Sequence, residues 1–202
     1  MNKDLEAKGP QGCAVILAGG KSSRMGKDKA LLPWNGRPVI AHITEEMKKV
    51  TDNIVIITND PDAYRFLNLP MLSDRYKDCG PLGGLESALH HLSYDFFYLT
   101  ACDMPFVSPE VYDHLASRLD NHQAVIPVYK ERTHPLAGIY HKSILPELQE
   151  CLRHGQLKVR QLLDRVDTSY VTDFPGFSAK TLENHFFNMN YPEQYQQLEN
   201  LQ

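Results

Sequence analysis

A glycine- and lysine-rich segment, LAGGKSSRMGKDKALLP at residues 17–33, carries the first residues whose types and spacing suggest chemistry. It directly follows the apolar run 13–17, which predicts a buried strand. The adjacent Gly19 and Gly20 let backbone N–H groups approach anionic oxygens. Four cationic side chains lie within nine residues of this segment: Lys21, Arg24, Lys27 and Lys29. Because α/β proteins bind ligands at the carboxyl ends of strands, the segment predicts a triphosphate site. The glycines alone would fit a plain tight turn equally well.

Two familiar phosphate-binding patterns are absent from this segment. The Walker A pattern GxxxxGK[ST] does not fit, because five residues separate Gly20 from Gly26 and Asp28 follows Lys27. The dinucleotide pattern GxGxxG does not fit either, because Gly19 and Gly20 are adjacent. The segment therefore does not indicate a nicotinamide cofactor.

Two aspartates that follow predicted strands complement the cationic segment. Asp103 comes directly after the run FFYLTAC (96–102), and Asp74 ends the stretch PMLSD. Both should lie at the carboxyl edge of the sheet. A Mg²⁺ ion on a nucleotide usually takes only one or two protein carboxylates, because it keeps several waters. The sequence thus predicts Asp103 as a metal ligand, whereas a helix cap or a turn is the alternative for each aspartate.

The elements that must position these residues alternate between strands and helices. Up to residue 120 the patterns predict strands at 13–17, 53–59, 96–102 and one ending at Asp74, with helices at 38–50, 83–92 and 108–119. Beyond it they predict strands at 123–129, 136–141 and 186–190, with helices at 144–153, 159–166 and from 192. This alternation indicates an α/β domain whose largely parallel sheet is shared by both halves of the chain.

Composition narrows the classes of function. At 202 residues the chain fits one large domain, with the polar residues 1–12 as a disordered extension. A balance of 21 Lys and Arg against 25 Asp and Glu argues against a nucleic-acid partner.

The expected location is the cytoplasm. No membrane span or signal core is visible, so no membrane association is expected. The four cysteines have no metal-ligand spacing and suggest a reducing compartment.

Five motifs occur in a set order along residues 13–195: LAGGKSSRMGKDKALL (17–32), CGPLGGLESAL (79–89), TACDMPF (100–106), HPLAGIY (134–140) and NMNYPEQY (188–195). In this order they resemble the molybdenum cofactor guanylyltransferases, the MobA-like enzymes. The resemblance implies a three-layer α/β/α fold with a mainly parallel, Rossmann-like nucleotidyltransferase sheet. It also implies that GMP is transferred from GTP, with Mg²⁺ as cofactor, to the molybdopterin cofactor, releasing pyrophosphate and forming molybdopterin guanine dinucleotide.

The resemblance further implies roles for individual residues. Leu17, Ala18, Gly19 and Gly20 match the stretch that cradles guanine and ribose, and Asp74 matches a nucleotide contact. Arg24 and Lys29 match triphosphate ligands that, together with Asp103 as the Mg²⁺ ligand, carry catalysis. Asn59 lies close to a family asparagine contact.

Residues 13–120 would form the GTP-binding half and residues 121–202 the half that binds the acceptor, molybdopterin. His134, Asn188 and Asn190 are the candidate acceptor contacts, because alternation along a late strand would place both amides on one face. A turn residue for His134 and strand-end caps for the asparagines are the alternatives. Protein partners would be molybdenum-insertion or molybdoenzyme-maturation proteins.

Three other functions stay open at this point. A molybdenum cofactor cytidylyltransferase is disfavoured, because such relatives tend to read LAAG where this chain has LAGG. Nucleotidyltransferases acting on sugar phosphates or other small-molecule phosphates share the style of the first motif but not the last two. A nonenzymatic GTP-binding module would bind nucleotide without releasing pyrophosphate.

Overall fold

A mixed sheet of eight strands forms the centre of the computed structural model, which describes residues 12–18 and 28–200. The strands in this part of the chain are β1 (Gly12–Leu17), β2 (Pro33–Trp34), β3 (Arg37–Pro38), β4 (Ile54–Ile57), β5 (Met71–Leu72), β6 (Phe96–Ala101), β7 (Ala124–Tyr129), β8 (Arg132–Thr133), β9 (Ile139–His141) and β10 (Thr168–Val171). Strands β2 and β3 form a separate small hairpin, and the others belong to the main sheet.

The helices lie between these strands. They are α1 (Val39–Val50), α2 (Pro61–Tyr64), α3 (Gly80–His91), α4 (Pro109–Ala116), α5 (Leu145–Arg153), α6 (Val159–Leu163), α7 (Ala179–His185) and α8 (Pro192–Asn200). Short 3₁₀ helices occur at Lys29–Leu31, Arg65–Leu67, Pro135–Ala137 and Lys142–Ile144. None of the helices in the described ranges combines the length and the apolar character that a bilayer crossing requires.

The strand order reverses next to β1. The order across the sheet is β10, β7, β9, β6, β1, β4, β5, with β8 paired to β7. Strand β1 is parallel to β4 on one side and to β6 on the other, and the chain reaches β6 only after β4 and β5. In α/β sheets, ligands bind outside the carboxyl ends of the strands at such a switch point. The crevice between β1 and β6 is therefore where this fold would hold a ligand.

Both faces of the sheet are covered, which explains the continuous apolar runs of its central strands. Successive side chains of a strand point to opposite faces. Ala14 and Ile16 of β1 accordingly belong to a core under α1 and α4, whereas Val15 and Leu17 belong to a second core under α3, α5 and α6. The prediction of a three-layer α/β/α fold with a mainly parallel sheet is confirmed.

Strands from both halves of the chain join the same sheet, as the sequence indicated. Strand β9 pairs antiparallel with both β6 and β7, and β10 runs parallel to β7 at the edge. The second half thus extends the sheet directly from β6.

Two expectations about local structure need correction, and three elements were missed. Residues 186–190 do not form a strand: the segment is irregular and follows α7. Gly12 is the first residue of β1 and not part of a disordered extension, while residues 1–11 lie outside the described residues. Strand β10 and helices α2 and α7 were not predicted, because short segments with few apolar residues lack a clear period.

A buried carboxylate connects the two halves on the α3 face of the sheet. The Glu86 side chain is fully buried and its Oε1 lies 2.6 Å from the Arg75 guanidinium. The same oxygen accepts a hydrogen bond of 2.8 Å from Gln149 of α5. The other oxygen, Oε2, is buried and has no hydrogen-bond partner among the described residues. Glu86 therefore depends on Arg75 for its charge balance.

We expect Arg75→Ala to destabilise the protein by about 2 kcal/mol, because it leaves the Glu86 carboxylate buried and unpaired. Arg153→Ala is the matched control, since Arg153 forms an exposed ion pair with Glu150 within one helix. That variant should change stability by less than about 0.5 kcal/mol. Urea unfolding midpoints measure both changes, and equal losses would contradict the structural role assigned to Arg75.

Candidate functional site

A cleft of about 190 Å³ opens at the carboxyl ends of β1 and β6, at the switch point of the sheet. The Cys102 backbone N–H donates to the Leu17 carbonyl at 3.0 Å, which holds the two strand ends together. The described residues that line the cleft come from both halves of the chain: Leu17, Ala18, Asp28, Lys29, Ile57, Asp74, Gly80, Pro81, Gly84, Ala101, Cys102, Asp103 and Leu136.

Lys29 supplies a positive charge to this cleft. It is the first residue of the 3₁₀ helix Lys29–Leu31, so its backbone is fixed where the chain leaves the glycine-rich segment. Its Nζ donates a 3.2 Å hydrogen bond to Oδ1 of Asn190, from the irregular segment before α8. An amide partner orients the ammonium group without neutralising its charge. The side chain of Lys29 thus contributes to the cleft a positive charge that Asn190 does not neutralise.

Asp28 lies beside Lys29 and also lines the cleft. Its Oδ1 accepts a 3.0 Å hydrogen bond from the Ala30 backbone N–H, which caps the 3₁₀ helix. Its Oδ2 accepts a hydrogen bond from the hydroxyl of Tyr64. Both carboxylate oxygens are therefore occupied by donors within the protein.

Asp103 lines the cleft from the turn after β6. Its Oδ1 is buried and has no hydrogen-bond partner among the described residues. Burial raises the pKa of Asp103 above the ordinary value of 3.8, and the positive charge of Lys29 opposes that rise. The backbone carbonyl of Asp103 accepts a 2.8 Å hydrogen bond from the Met189 N–H, so the segment before α8 contacts both Asp103 and Lys29. An unpartnered buried carboxylate oxygen is costly unless a ligand satisfies it.

Asp74, which also lines the cleft, is held by Asn59. The Asn59 amide donates to Asp74 Oδ2 at 2.9 Å, and the Asp74 backbone N–H donates to Asn59 Oδ1 at 3.2 Å. Helix α3 passes close beneath, because a Cβ on Gly84 would lie 2.8 Å from Leu17 Cδ2 and 3.1 Å from Ile57 Cγ2. Only glycine allows the helix to approach β1 and β4 this closely.

The thiol in the cleft is not an ionised nucleophile. Burial, with the nearby charges of Asp103 and Asp28, raises the pKa of Cys102 to about 12. The thiolate is the reactive form of cysteine, so Cys102 is unreactive at neutral pH.

The structure brings together most of the predicted nucleotide residues that it describes. Leu17, Ala18, Lys29, Asp74 and Asp103 all line the one cleft. Gly19, Gly20 and Arg24, which the sequence assigned to the same site, lie outside the described residues. Their roles stay predictions, as do the roles of the five residues in the cleft.

The predicted acceptor residues do not share one face of a strand. Asn190 contacts Lys29, whereas the Asn188 side chain donates to the Phe186 carbonyl at 3.3 Å. The ring of His134 packs on Phe186, with 4.4 Å between the ring centroids, and burial lowers its pKa. Of the three, Asn190 alone is shown in contact with a residue that lines the cleft. The strand alternation that grouped the two asparagines is therefore wrong.

Sequence reasoning missed Asp28 and Tyr64. An aspartate two residues before the short apolar run Ala30–Leu32 is a helix-cap signal that could have pointed to Asp28. Tyr64 is 36 residues away from Asp28 in sequence, and no local pattern indicates their contact.

The carboxylate oxygens of the cleft suit a hard divalent cation that also binds the phosphate oxygens of a ligand. No group of three or more His, Cys, Asp or Glu side chains that could enclose a metal occurs among the described residues. Mg²⁺ does not need one, because it binds through one or two carboxylates, waters and phosphate oxygens. The unpartnered Oδ1 of Asp103 is an oxygen donor of that kind.

A strand-edge cleft with a lysine and oriented carboxylates at a switch point is typical of α/β proteins that bind nucleotides. Residues 14–169 match the model of the MobA-like NTP transferase domain, so the chain belongs to this family of nucleotidyltransferases. The resemblance inferred from the five sequence motifs is thereby confirmed.

Relatives of known name match almost the whole chain. A probable molybdenum cofactor guanylyltransferase of Carboxydothermus hydrogenoformans is 35% identical over 184 residues, covering 91% of this chain and 93% of the relative. One from Halalkalibacterium halodurans is 38% identical, covering 89% of this chain and 93% of the relative. The crystal structure of molybdopterin-guanine dinucleotide biosynthesis protein A from Archaeoglobus fulgidus superposes with a TM-score of 0.77 at 25% identity, over 94% of this chain and 97% of that one.

We expect Asp103→Asn to stabilise the free protein at neutral pH by roughly 1 kcal/mol, because it removes a buried charge whose Oδ1 has no hydrogen-bond partner among the described residues. The pKa of Asp103 is higher in the folded than in the unfolded protein. The protonated Asp103 carboxyl group therefore stabilises the fold at low pH, and this stabilisation is lost as the pH rises through the folded-state pKa. The advantage of the variant should therefore shrink as pH falls toward 3.8.

Urea unfolding at a series of pH values measures this difference. Asp52→Asn, which changes an exposed aspartate, is the control and should alter stability by less than about 0.5 kcal/mol. A less stable Asp103→Asn variant at neutral pH would show that the carboxylate serves the fold and not a ligand.

Proposed function

We propose that this protein transfers GMP from GTP to the molybdopterin cofactor in its molybdenum-bound form, releases pyrophosphate and forms molybdopterin guanine dinucleotide. The observation that carries the proposal is the convergence of Lys29, Asp74 and Asp103 on one cleft. Support comes from the 35% identity, over 91% of the chain, to a probable molybdenum cofactor guanylyltransferase.

The triphosphate of GTP would lie between the end of β1 and the start of α3. Lys29 provides a fixed ammonium group, and Gly80 and Pro81 in the first turn of α3 line the same cleft. A helix N-terminus favours anions through its free N–H groups and the helix dipole. Asp74, held by Asn59, is the proposed contact of the nucleoside, and Leu17 and Ala18 with the predicted Gly19 and Gly20 would face guanine and ribose.

Asp103 is the proposed Mg²⁺ ligand through its buried Oδ1. When bound, the ion would supply charge neutralisation on the phosphates. The chain's own contribution is to hold Asp103 and Lys29 on one cleft, each tied to the segment 189–190. Preorganised charges of this kind do not have to reorient during the reaction.

The transfer step needs no nucleophile from the protein. An oxygen of the acceptor's phosphate monoester would attack the α-phosphorus of GTP, a new P–O bond would form, and the bond to the bridging oxygen would break with pyrophosphate as leaving group. The acceptor oxygen is already anionic at neutral pH, so a general base is not required. The protonated Cys102 takes no part, in agreement with its raised pKa.

The barrier in such a reaction lies in bringing two anions together. Holding both phosphates in line lowers it by positioning, and Lys29 with Arg24 would neutralise charge on the leaving pyrophosphate. Catalysis therefore depends on placement and electrostatics, which is the kind of site that the cleft provides.

The acceptor would approach from the side formed by the second half of the chain. Leu136 lines the cleft, and Asn190 reaches it through Lys29. His134 and Asn188 stay predicted acceptor contacts, as do the protein partners and the cytoplasmic location.

We expect pyrophosphate release to require both GTP and molybdopterin. The measurement compares GTP, CTP, UTP and ATP side by side, each with and without the acceptor, in a coupled pyrophosphate assay. A preference for CTP would indicate a cytidylyltransferase, and GTP binding without any release would indicate a nonenzymatic module.

Asp103→Ala should reduce turnover at least a thousandfold while the circular dichroism spectrum stays unchanged, because a charge-stabilising group of the transition state is lost. Asp52→Ala, at an exposed site, serves as control. Near-normal turnover of the Asp103 variant at saturating Mg²⁺ would remove Asp103 from the metal site.

Lys29→Gln should weaken GTP binding roughly tenfold and lower turnover, because an amide cannot neutralise the triphosphate. Isothermal titration calorimetry measures the binding, and Lys48→Gln on the exposed side of α1 is the control. An unchanged GTP affinity and rate would exclude Lys29 from the site.

A further inference from the structure

A buried tyrosine outside the cleft contacts a residue that lines it. Tyr64 is 1% exposed and is the last residue of α2, in the core under α1 and α4. Its hydroxyl donates to Oδ2 of Asp28. Asp28 immediately precedes Lys29, and both line the cleft. Tyr64 is therefore connected to the site by its hydrogen bond to Asp28.

Asp28 presents an electrostatic difficulty for the proposed site. It adds a negative charge to a cleft that would bind a triphosphate, and it lies next to the lysine that would hold that triphosphate. A free carboxylate at this position could turn toward Lys29 and neutralise it, or repel the phosphates. The site can bind a triphosphate only if hydrogen bonds to other groups keep the Asp28 carboxylate from pairing with Lys29.

The two hydrogen bonds of Asp28 meet that requirement. The bond from the Ala30 N–H, at 3.0 Å, fixes Oδ1 as a helix cap. Capping alone would leave Oδ2 free, and it is this second oxygen that Tyr64 holds. Hydrogen bonds to a carboxylate are stronger than those between neutral groups, so the pair restrains the charged group firmly.

Tyr64 is itself well fixed. Helix α2 is capped by Asp60, whose Oδ1 accepts from the Ala63 N–H at 3.4 Å, and it follows β4 closely. Burial and the nearby Asp28 charge raise the pKa of Tyr64 well above its ordinary value of 10.0, so its hydroxyl remains a donor at any physiological pH.

We propose that Tyr64 is a positioning residue for polyphosphate binding: it holds the Asp28 carboxylate away from Lys29, so that the ammonium group is available to the phosphates of the nucleotide. This inference rests on the proposed function for the identity of the natural ligand. It adds a residue from α2, outside the cleft, to the residues on which phosphate binding depends.

The decisive comparison is between Tyr64→Phe and the double variant Tyr64→Phe with Asp28→Asn. Tyr64→Phe removes one hydroxyl and should weaken the binding of GTP and of inorganic triphosphate about tenfold, because the released carboxylate competes for Lys29. In the double variant an asparagine can still cap the 3₁₀ helix but carries no charge. Affinity should therefore recover to within about threefold of the wild type, which a loss of packing alone would not allow.

Tyr112→Phe is the matched control. Tyr112 of α4 is also fully buried, and its hydroxyl donates to the Leu99 carbonyl at 2.5 Å. Its removal costs a buried tyrosine hydrogen bond to a neutral carbonyl and does not involve Asp28, so polyphosphate affinity should stay unchanged while the melting temperature falls. Calorimetric titration of each variant, together with its melting temperature, separates binding from stability.

The outcomes are distinct. Weakened binding in Tyr64→Phe with recovery in the double variant supports the proposal, and equal affinities of Tyr64→Phe and Tyr112→Phe overturn it. Weakened binding without recovery also overturns it, because Tyr64 would then act only through packing. If the wild type binds inorganic triphosphate but not GTP, the proposed function fails, while the response of triphosphate binding to Tyr64→Phe still decides this inference. If it binds neither, both fail.

Discussion

The parallel pairing of β1 with β6 is the constraint on which the rest of this structure depends. The register places Leu17 beside Ala101, and the hydrogen bond from the Cys102 N–H to the Leu17 carbonyl continues the pairing beyond the end of β6. Asp103 therefore emerges beside the end of β1, in the cleft that Lys29 also lines. Because side chains alternate along a strand, a slip of one residue would turn the core-forming side chains of β6 to the wrong face and displace Asp103 from the cleft. The central core and the candidate site are fixed by the same register.

The charged side chains of the site differ in how they are held. Asp103 loses hydration on burial and keeps an oxygen without a partner among the described residues, whereas Lys29 is oriented by the neutral amide of Asn190. Asp28, which could neutralise Lys29, is held by Tyr64 and by its own helix cap. The free protein therefore keeps a costly arrangement that a cation and a polyphosphate would relieve. Sites built for ligand binding commonly sacrifice stability in this way.

Much of this could be predicted from sequence because the informative residues are buried on both faces of the sheet. The runs at 13–17, 53–59 and 96–102 are largely apolar or β-branched, and Asp103, which follows the last of them, marks the binding edge. The segment 186–190 misled for a related reason. Its aromatic residues suggest a strand. In the structure Phe186 packs on His134 and Tyr129, and Met189 is buried in the core, but the segment does not pair with a strand of the sheet. Apolar character reports burial, and burial alone does not distinguish a strand from a packed irregular segment.

The polar partners of the site could not be predicted, since they join residues far apart in the chain. Asp28 with Tyr64 is separated by 36 residues and Lys29 with Asn190 by 161. Local patterns indicate which residues reach the binding edge, but only tertiary packing determines which donor meets which acceptor. Asp28, which could not be assigned to the site from sequence, is thus the residue whose effect on ligand binding depends on its partner Tyr64. Without its hydrogen bond to Tyr64, the Asp28 carboxylate would oppose the binding of a polyanion. With that bond, Asp28 is a fixed cap of the short helix that begins at Lys29. Whether Asp28 favours or opposes the binding of a polyphosphate therefore depends on the buried hydroxyl of Tyr64.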